Sequence, residues 1–374
     1  MRYFDHNATS PLCAAAREAW LAATEEYIGN PSSPHRIGNR ADVALDGARE
    51  KLATRLGCGP HELIWTSGAT ESLNTAIHHY SISSEGEAWV SALEHPAVQE
   101  SARHWFGKRV RQIPASPTGV IDCGWLEESL QQSAPAVLIA MAANNETGAL
   151  QPWSQVLGIC RQRGVPMLCD AAQWMGKLPS RGLGECQAVA GCAHKFGGPQ
   201  GVGFLKLSGP MHPLLRGGMQ EEGRRGGTEN VAGVLAMIAA LEFRDEQIAA
   251  GGVQERLGWR QSFVEDFSTT VPDAQVVAGE SDALWNTVSV VMPPLDCRRR
   301  WVVVLDRLGF AVSTGSACAS GKEKPSHVLS AMGYSPALAA RVLRFSSGWE
   351  TTRDEWNELL GVIKCAVQES ASEG

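Results

Sequence analysis

The sequence lacks the marks of a membrane or exported protein. No apolar run is long enough to span a bilayer. The opening residues, Met1-Arg2-Tyr3-Phe4-Asp5-His6-Asn7, contain no apolar signal core. Positive charge is not in excess. The formal net charge of −7 disfavours a general role on nucleic acid or on a membrane surface. The ten cysteines are scattered, with no Cys-x-x-Cys pair and no tight cluster with histidine. A structural zinc site or a cysteine-rich metal-binding scaffold is therefore disfavoured, and no metal is expected. A disulfide framework suits small secreted domains, not this chain. No internal repeat or low-complexity stretch is present. The expectation is a cytoplasmic globular protein whose cysteines mostly serve as small buried apolar groups, as Cys169 does within Val165-Pro166-Met167-Leu168-Cys169.

What is present is an alternation of short apolar runs with helical patterns. Leu63–Thr66 reads as a strand, and Ser72–Tyr80 as the helix that follows. Ala88–Ser91 is a second strand, leading to a helix over Pro96–Phe106. Ala136–Ala142 is a buried strand. A helix over Trp153–Arg163 leads into the strand Pro166–Cys169, and Val202–Lys206 is a further strand. Such alternation predicts an α/β fold with a largely parallel sheet covered by helices on both faces. After about residue 250 the pattern changes. Asn286–Met292 and Trp301–Leu305 are apolar, a Gly/Ser/Ala-rich loop surrounds Cys318, and helices are expected over Ser335–Leu343 and Arg353–Gln368. The expected division is a large domain over 14–249 and a smaller α+β domain from 1–13 and 250–374.

Ligands of parallel sheets bind beyond the carboxyl ends of the strands. After the first strand, Thr66-Ser67-Gly68-Ala69-Thr70-Glu71-Ser72 sets small residues at a helix start. That is suited to a phosphate, although an ordinary capped turn has the same look. His95 follows the second strand, Asn144 and Asn145 the third. Asp170 and Gln173 follow the next. A carboxylate there is costly without a cationic partner, and a protonated pyridine nitrogen is one. Its bland alternative is a helix N-cap. Lys195, between an apolar segment and the turn Phe196-Gly197-Gly198-Pro199, is a candidate for imine formation with an aldehyde. Taken alone, it is more simply an exposed turn lysine.

Taken together these blocks resemble the cysteine desulfurases, a branch of the class V aminotransferase group of pyridoxal-phosphate enzymes. The resemblance also covers Asp5–Pro11, Gly29–His35, Glu94–Val98, Asn144–Gly148, Arg225–Asn230, Ser313–Cys318, Ser326–Leu329 and Arg344–Gly348. It implies a seven-stranded, mostly parallel sheet and pyridoxal 5'-phosphate as cofactor. It implies that Lys195 holds the cofactor and that Asp170 pairs with the ring nitrogen. His95 stacks on the ring and assists proton transfer, and Gln173 bonds the ring oxygen. Thr70, the backbone near Ala69, and His194 hold the phosphate. Thr228 reaches the phosphate of a neighbouring subunit in a homodimer. Asn145 and Arg344 bind the substrate carboxylate, and Asn7 lines the substrate pocket.

The same resemblance makes Cys318 the nucleophile. As a thiolate it would take the sulfur of L-cysteine and hold it as a persulfide, leaving L-alanine. The spacing to Ser326-His327-Val328-Leu329 is similar to the long-loop branch. That branch donates sulfur to scaffold proteins for iron–sulfur clusters or to tRNA-thiolation proteins. Two positions depart from the family pattern. Cys192 stands where Ser or Thr is usual, which weakens one phosphate bond, and Gln200 stands where Lys is frequent. A selenocysteine lyase or another enzyme of the same scaffold is the alternative, and a mobile thiol argues for the desulfurase.

Overall fold

The computed structural model describes the chain except for residues 272, 294–297, 315–325 and 373–374. Cys318 therefore lies outside the described residues. A short strand, β1 (Arg2–Tyr3), opens the chain. Seven strands follow: β2 (Leu63–Thr66), β3 (Ala88–Ser91), β4 (Val110–Ile113), β5 (Val137–Met141), β6 (Met167–Asp170), β7 (Ala188–Cys192) and β8 (Gly203–Leu207). They form one sheet in the order β2-β8-β7-β6-β5-β3-β4. Strands β4, β3, β5, β6 and β7 are parallel, whereas β8 runs antiparallel to both β7 and β2. The α/β expectation holds, with seven mostly parallel strands.

Side-chain alternation explains why the sheet is covered twice. Trp65, Trp89, Leu138 and Cys169 face a core made with the helices Arg36–Leu56, Trp153–Gln162 and Val231–Ala249. Their neighbours Ile64, Val90, Ile139 and Leu168 face the helices Ala69–Ser83 and Pro96–Phe106. A strand buried on both faces must be apolar at every position, which is why these runs show no period in the sequence.

A second core gathers Phe4, Phe263, Phe267, Phe345 and Trp356. Around it lie β9 (Gln275–Val276), β10 (Thr287–Val291), β11 (Phe310–Ala311) and β12 (Val342–Ser346). β10 is antiparallel to both β9 and β12, and β1 pairs in parallel with β11. The helix expected over Ser335–Leu343 is corrected. It covers only Pro336–Ala339, and Val342–Ser346 is a strand with every residue buried. The alanines and Leu338 favour a helix locally. Pairing of Val342 and Leu343 with Val291 and Val290 overrides that preference at its end. The carboxyl-terminal helix runs over Arg353–Ser372.

One close approach ties the antiparallel strand to the first turn. A Cβ on Gly203 would stand 2.6 Å from both the Gly191 carbonyl oxygen and the Gly68 Cα. Gly203→Ala is thus expected to push β8 off its neighbours and cost about 2 kcal/mol of stability. An unchanged urea midpoint for that variant would contradict the tight approach.

Candidate active site

The carboxyl ends of the parallel strands open onto a cavity of ≈ 530 Å³. His95 comes from beyond β3, Asn145 from beyond β5, Asp170 from the last position of β6, and Cys192 from the last position of β7. Asp170 was expected just past its strand; it is the strand's final residue. Ala69, Thr70, Gln173, His194, Lys195, Arg344 and Asn7 complete the expected set on the same wall, and Gln200 lies there too. Thr228 is exposed and stands apart from this wall.

The turn at one end is built for an anion. Gly68 has φ 154, a backbone state that a side chain strains, and the helix Ala69–Ser83 starts immediately after it. Its first N–H groups have no partners within the helix and carry the positive end of its dipole. Glu71 accepts from the Ser67 N–H at 2.7 Å and from Arg225 at 2.9 Å, which fixes the turn. The Ala69 N–H lies against the Cys192 sulfur, while burial pushes that thiol up to about 11. His194 meets Thr9 Oγ1 through Nδ1 at 3.2 Å.

At the middle of the cavity a buried amine meets a buried carboxylate. Lys195 Nζ donates to the carbonyls of Asn7 (2.5 Å) and Ala8 (2.9 Å). Burial lowers its pKa, and the neighbouring Cys192 and Asp170 only partly oppose this. Asp170 Oδ1 accepts from the Ala172 N–H at 2.9 Å. Burial raises the Asp170 pKa, with that bond and the Lys195 charge pulling it back. Glu94 is fully buried. One of its oxygens accepts from the Met141 N–H at 2.7 Å, and the other has no partner among the described residues. Burial, then the nearby Asp170, drives its pKa well up. Asp170 is the carboxyl group on the cavity wall that a ligand cation would meet.

His95 Nδ1 accepts from the Ala97 N–H at 3.1 Å. The ring proton therefore sits on Nε2. Burial first, then the Lys195 and His327 charges, lowers His95 to about 4. Burial likewise lowers His194 to about 4.

The strands of the second core deliver the remaining side chains by alternation. On β12, Leu343 and Phe345 enter the aromatic core, while Arg344 faces the cavity. A one-residue slip in register would bury the guanidinium among phenylalanines. Its two terminal nitrogens bond Asp5 Oδ1 at 2.6 Å and the Asn145 carbonyl at 2.8 Å. The backbone of Arg344 pairs with Ser313, which precedes the undescribed 315–325 segment. On the far side of that segment, Ser326 Oγ donates to Glu146 at 2.5 Å and His327 Nε2 bonds the Glu94 carbonyl at 2.7 Å. Both ends of the segment that carries Cys318 are thus fastened beside the cavity.

Asn7, expected to line the substrate pocket, does line the cavity, and its side-chain amide is committed to protein partners. Nδ2 donates to the Asn145 carbonyl (3.1 Å) and Thr287 Oγ1 (2.9 Å), and Oδ1 accepts from Lys177 (2.9 Å) and Asn286 (3.1 Å). What Asn7 gives the site is its carbonyl, which accepts from Lys195 and from Gln173 Nε2. Lys177, Asp5 and Glu94 were not singled out by role in the sequence. The one available signal for Lys177 was its i,i+4 spacing from Gln173, and Lys177 Nζ does donate to Gln173 Oε1 at 2.5 Å.

An anion cradle, an amine of lowered pKa and a carboxylate awaiting a cation match the phosphate, aldehyde and ring nitrogen of pyridoxal 5'-phosphate. Comparison with known proteins agrees. The sequence model of the aminotransferase class-V family matches residues 2–359. A cysteine desulfurase of Enterobacter agglomerans is 36% identical over 353 residues, covering 92% of this chain and 87% of that one. The cysteine desulfurase IscS of Dictyoglomus turgidum is 34% identical, covering 98% and 94%. A solved NifS-like protein superposes with a TM-score of 0.89 at 30% identity, covering 98% of this chain and all of that one. The chain belongs to the class V aminotransferase family, whose members depend on pyridoxal phosphate. Within it, the chain falls among the cysteine desulfurases.

The histidines set a pH dependence. An unfolded histidine takes up a proton near 6.5, and folded His95 does so only near 4. Its burial thus favours the folded state above about pH 6.5, and that contribution is lost as the pH falls toward 4. His95→Asn keeps the cap acceptor and removes the titration. The variant is expected to lose less stability than the parent between about pH 7 and about pH 4.5. Parallel urea midpoints across that range would show that His95 is not held neutral.

Proposed function

We propose that this enzyme removes sulfur from L-cysteine, releases L-alanine, and carries the sulfur as a persulfide on Cys318 to an acceptor protein. The observation that supports it most is the convergence of Lys195, Asp170, His95 and Arg344 on one cavity, with both ends of the Cys318 segment fastened at its side. Cys318 lies five residues from Ser313, so an extended chain carries it no more than about 18 Å from that anchor.

When bound, pyridoxal phosphate supplies an electron sink for the α-carbon of an amino acid. Lys195 Nζ would hold it covalently, and Asp170 would keep a proton on its ring nitrogen. His95 would meet the ring and could move protons through Nε2. Gln173 would donate to the ring oxygen, and the Ala69–Thr70 backbone, Thr70 and His194 would hold the phosphate. Arg344 and the Asn145 side chain take the substrate carboxylate. The Cys318 thiolate attacks the substrate sulfur. The carbon–sulfur bond breaks, its electron pair stays on carbon, and a proton is added there. Cysteine plus the Cys318 thiol thus becomes alanine plus a persulfide, with atoms balanced.

The family resemblance supports a homodimer in which Thr228, exposed in the single chain, completes the partner's phosphate site. The acceptor class is an iron–sulfur scaffold or a tRNA-thiolation protein, and the compartment is the cytoplasm. No helix among the described residues is long and apolar enough to cross a membrane.

Cys318→Ser is expected to keep bound cofactor and still take up cysteine, but to yield neither alanine nor a protein persulfide. Alanine formation at the parent rate would remove Cys318 from the mechanism. Borohydride reduction followed by peptide mapping is expected to find the cofactor on Lys195, and an adduct on Lys177 would reassign it.

Cys192 tests the phosphate end. Its sulfur lines the cavity against the Ala69 N–H. A hydroxyl donates better than a thiol. Cys192→Ser is expected to bind the cofactor about tenfold more tightly, ~1.4 kcal/mol. Unchanged affinity with a lower melting midpoint would place Cys192 in an apolar wall instead.

A further inference from the structure

We propose that Lys177 is a positioning residue that fixes which end of the Gln173 amide faces the cavity. This deepens the proposed function, because it rests on Gln173 meeting the ring oxygen of the cofactor. The hydrogen-bond network has one consistent solution. Backbone carbonyls only accept. Asn7 Nδ2 must therefore face the Asn145 carbonyl, and Gln173 Nε2 must face the Asn7 carbonyl. Both amide oxygens then point inward, to one atom: Lys177 Nζ lies 2.9 Å from Asn7 Oδ1 and 2.5 Å from Gln173 Oε1. Only a donor can stand there.

Lys177 is 3% exposed and cannot turn away. Its carbonyl accepts from Trp285 Nε1 at 3.0 Å, and the Gly176 carbonyl accepts from Trp349 Nε1 at 2.8 Å. With its oxygen engaged, Gln173 has one N–H on the Asn7 carbonyl and one left for the cavity wall. With Oε1 turned toward Lys177, what it offers the ligand is that donor. Such a donor stabilises an anionic ring oxygen, and so lowers the affinity for a proton held between that oxygen and Lys195 Nζ. Without Lys177 the Gln173 oxygen is orphaned, and the amide gains by turning it toward the cavity. The titratable groups that face Lys177 are Lys195, Arg344, Cys192 and His6. All are kept in the variants below.

The test is a pH titration of the visible absorption of cofactor-loaded protein, with cofactor dissociation and melting midpoint measured alongside. Lys177→Met keeps the apolar body and removes the donor. It is expected to raise the titration midpoint by about one pH unit and to weaken cofactor binding about tenfold. Gln173→Leu is expected to move the midpoint equally, and the double variant no further. Asn286→Ala removes a different partner of Asn7; it should lower the melting midpoint and leave the titration in place. An unmoved midpoint in Lys177→Met, or a double variant that shifts by the sum of the two, overturns the proposal. If Gln173→Leu alone leaves the midpoint unmoved, the ring oxygen is not at Gln173 and the proposal falls, while the Lys195 adduct still tests the wider function. Should Lys177→Met fail to fold, Lys177→Gln is judged by the same criteria.

Discussion

The site depends on the burial of the Asn7 amide between two cores. Asn7 reaches Asn145 and Lys177 from the large sheet and Thr287 and Asn286 from the second core, while its carbonyl holds Lys195. An amide has two donors and two acceptor positions, and here all four are spent. A buried polar group that lost one of these partners would cost about 1–3 kcal/mol, so the two cores are held in one relation. The carboxyl ends of the sheet and the cavity face of β12 are brought together by that relation.

Electrostatics follow from the same enclosure. Burial lowers the pKa of both Lys177 and Lys195, and the Arg344 charge lowers each further. Opposite them lie the carboxyl groups of Asp170 and Asp5, and Glu94 is buried with one oxygen unpartnered among the described residues. The helix start after Gly68 suits a phosphate at one end, and the Arg344 guanidinium suits an amino-acid carboxylate at the other. The cost of burying charge is met in pieces: Asp5 for Arg344, backbone carbonyls for Lys195, and the Ala172 N–H for Asp170.

The segment containing Cys318 is tied in the same way. Ser313 pairs with the strand that carries Arg344, and His327 bonds the carbonyl of Glu94, next to His95.

Much of this was legible in the chain. Uninterrupted apolar runs such as Leu63–Thr66 and Val137–Met141 announce strands buried on both faces, and the polar residues that follow them lie where a parallel sheet must bind its ligand. Lys195, Asp170, His95 and the Gly68 turn needed only local spacing to be noticed, because strand ends place them. The strand at Val342–Ser346 was not legible: its Ala-rich approach favours a helix, and only pairing with β10 decides otherwise. Nor was the inward commitment of Asn7, nor the role of Lys177. A hydrogen bond between residues 7 and 286 leaves no periodic trace along a chain. It exists because two cores, formed from distant segments, close on the same few polar atoms and leave each of them one place to go.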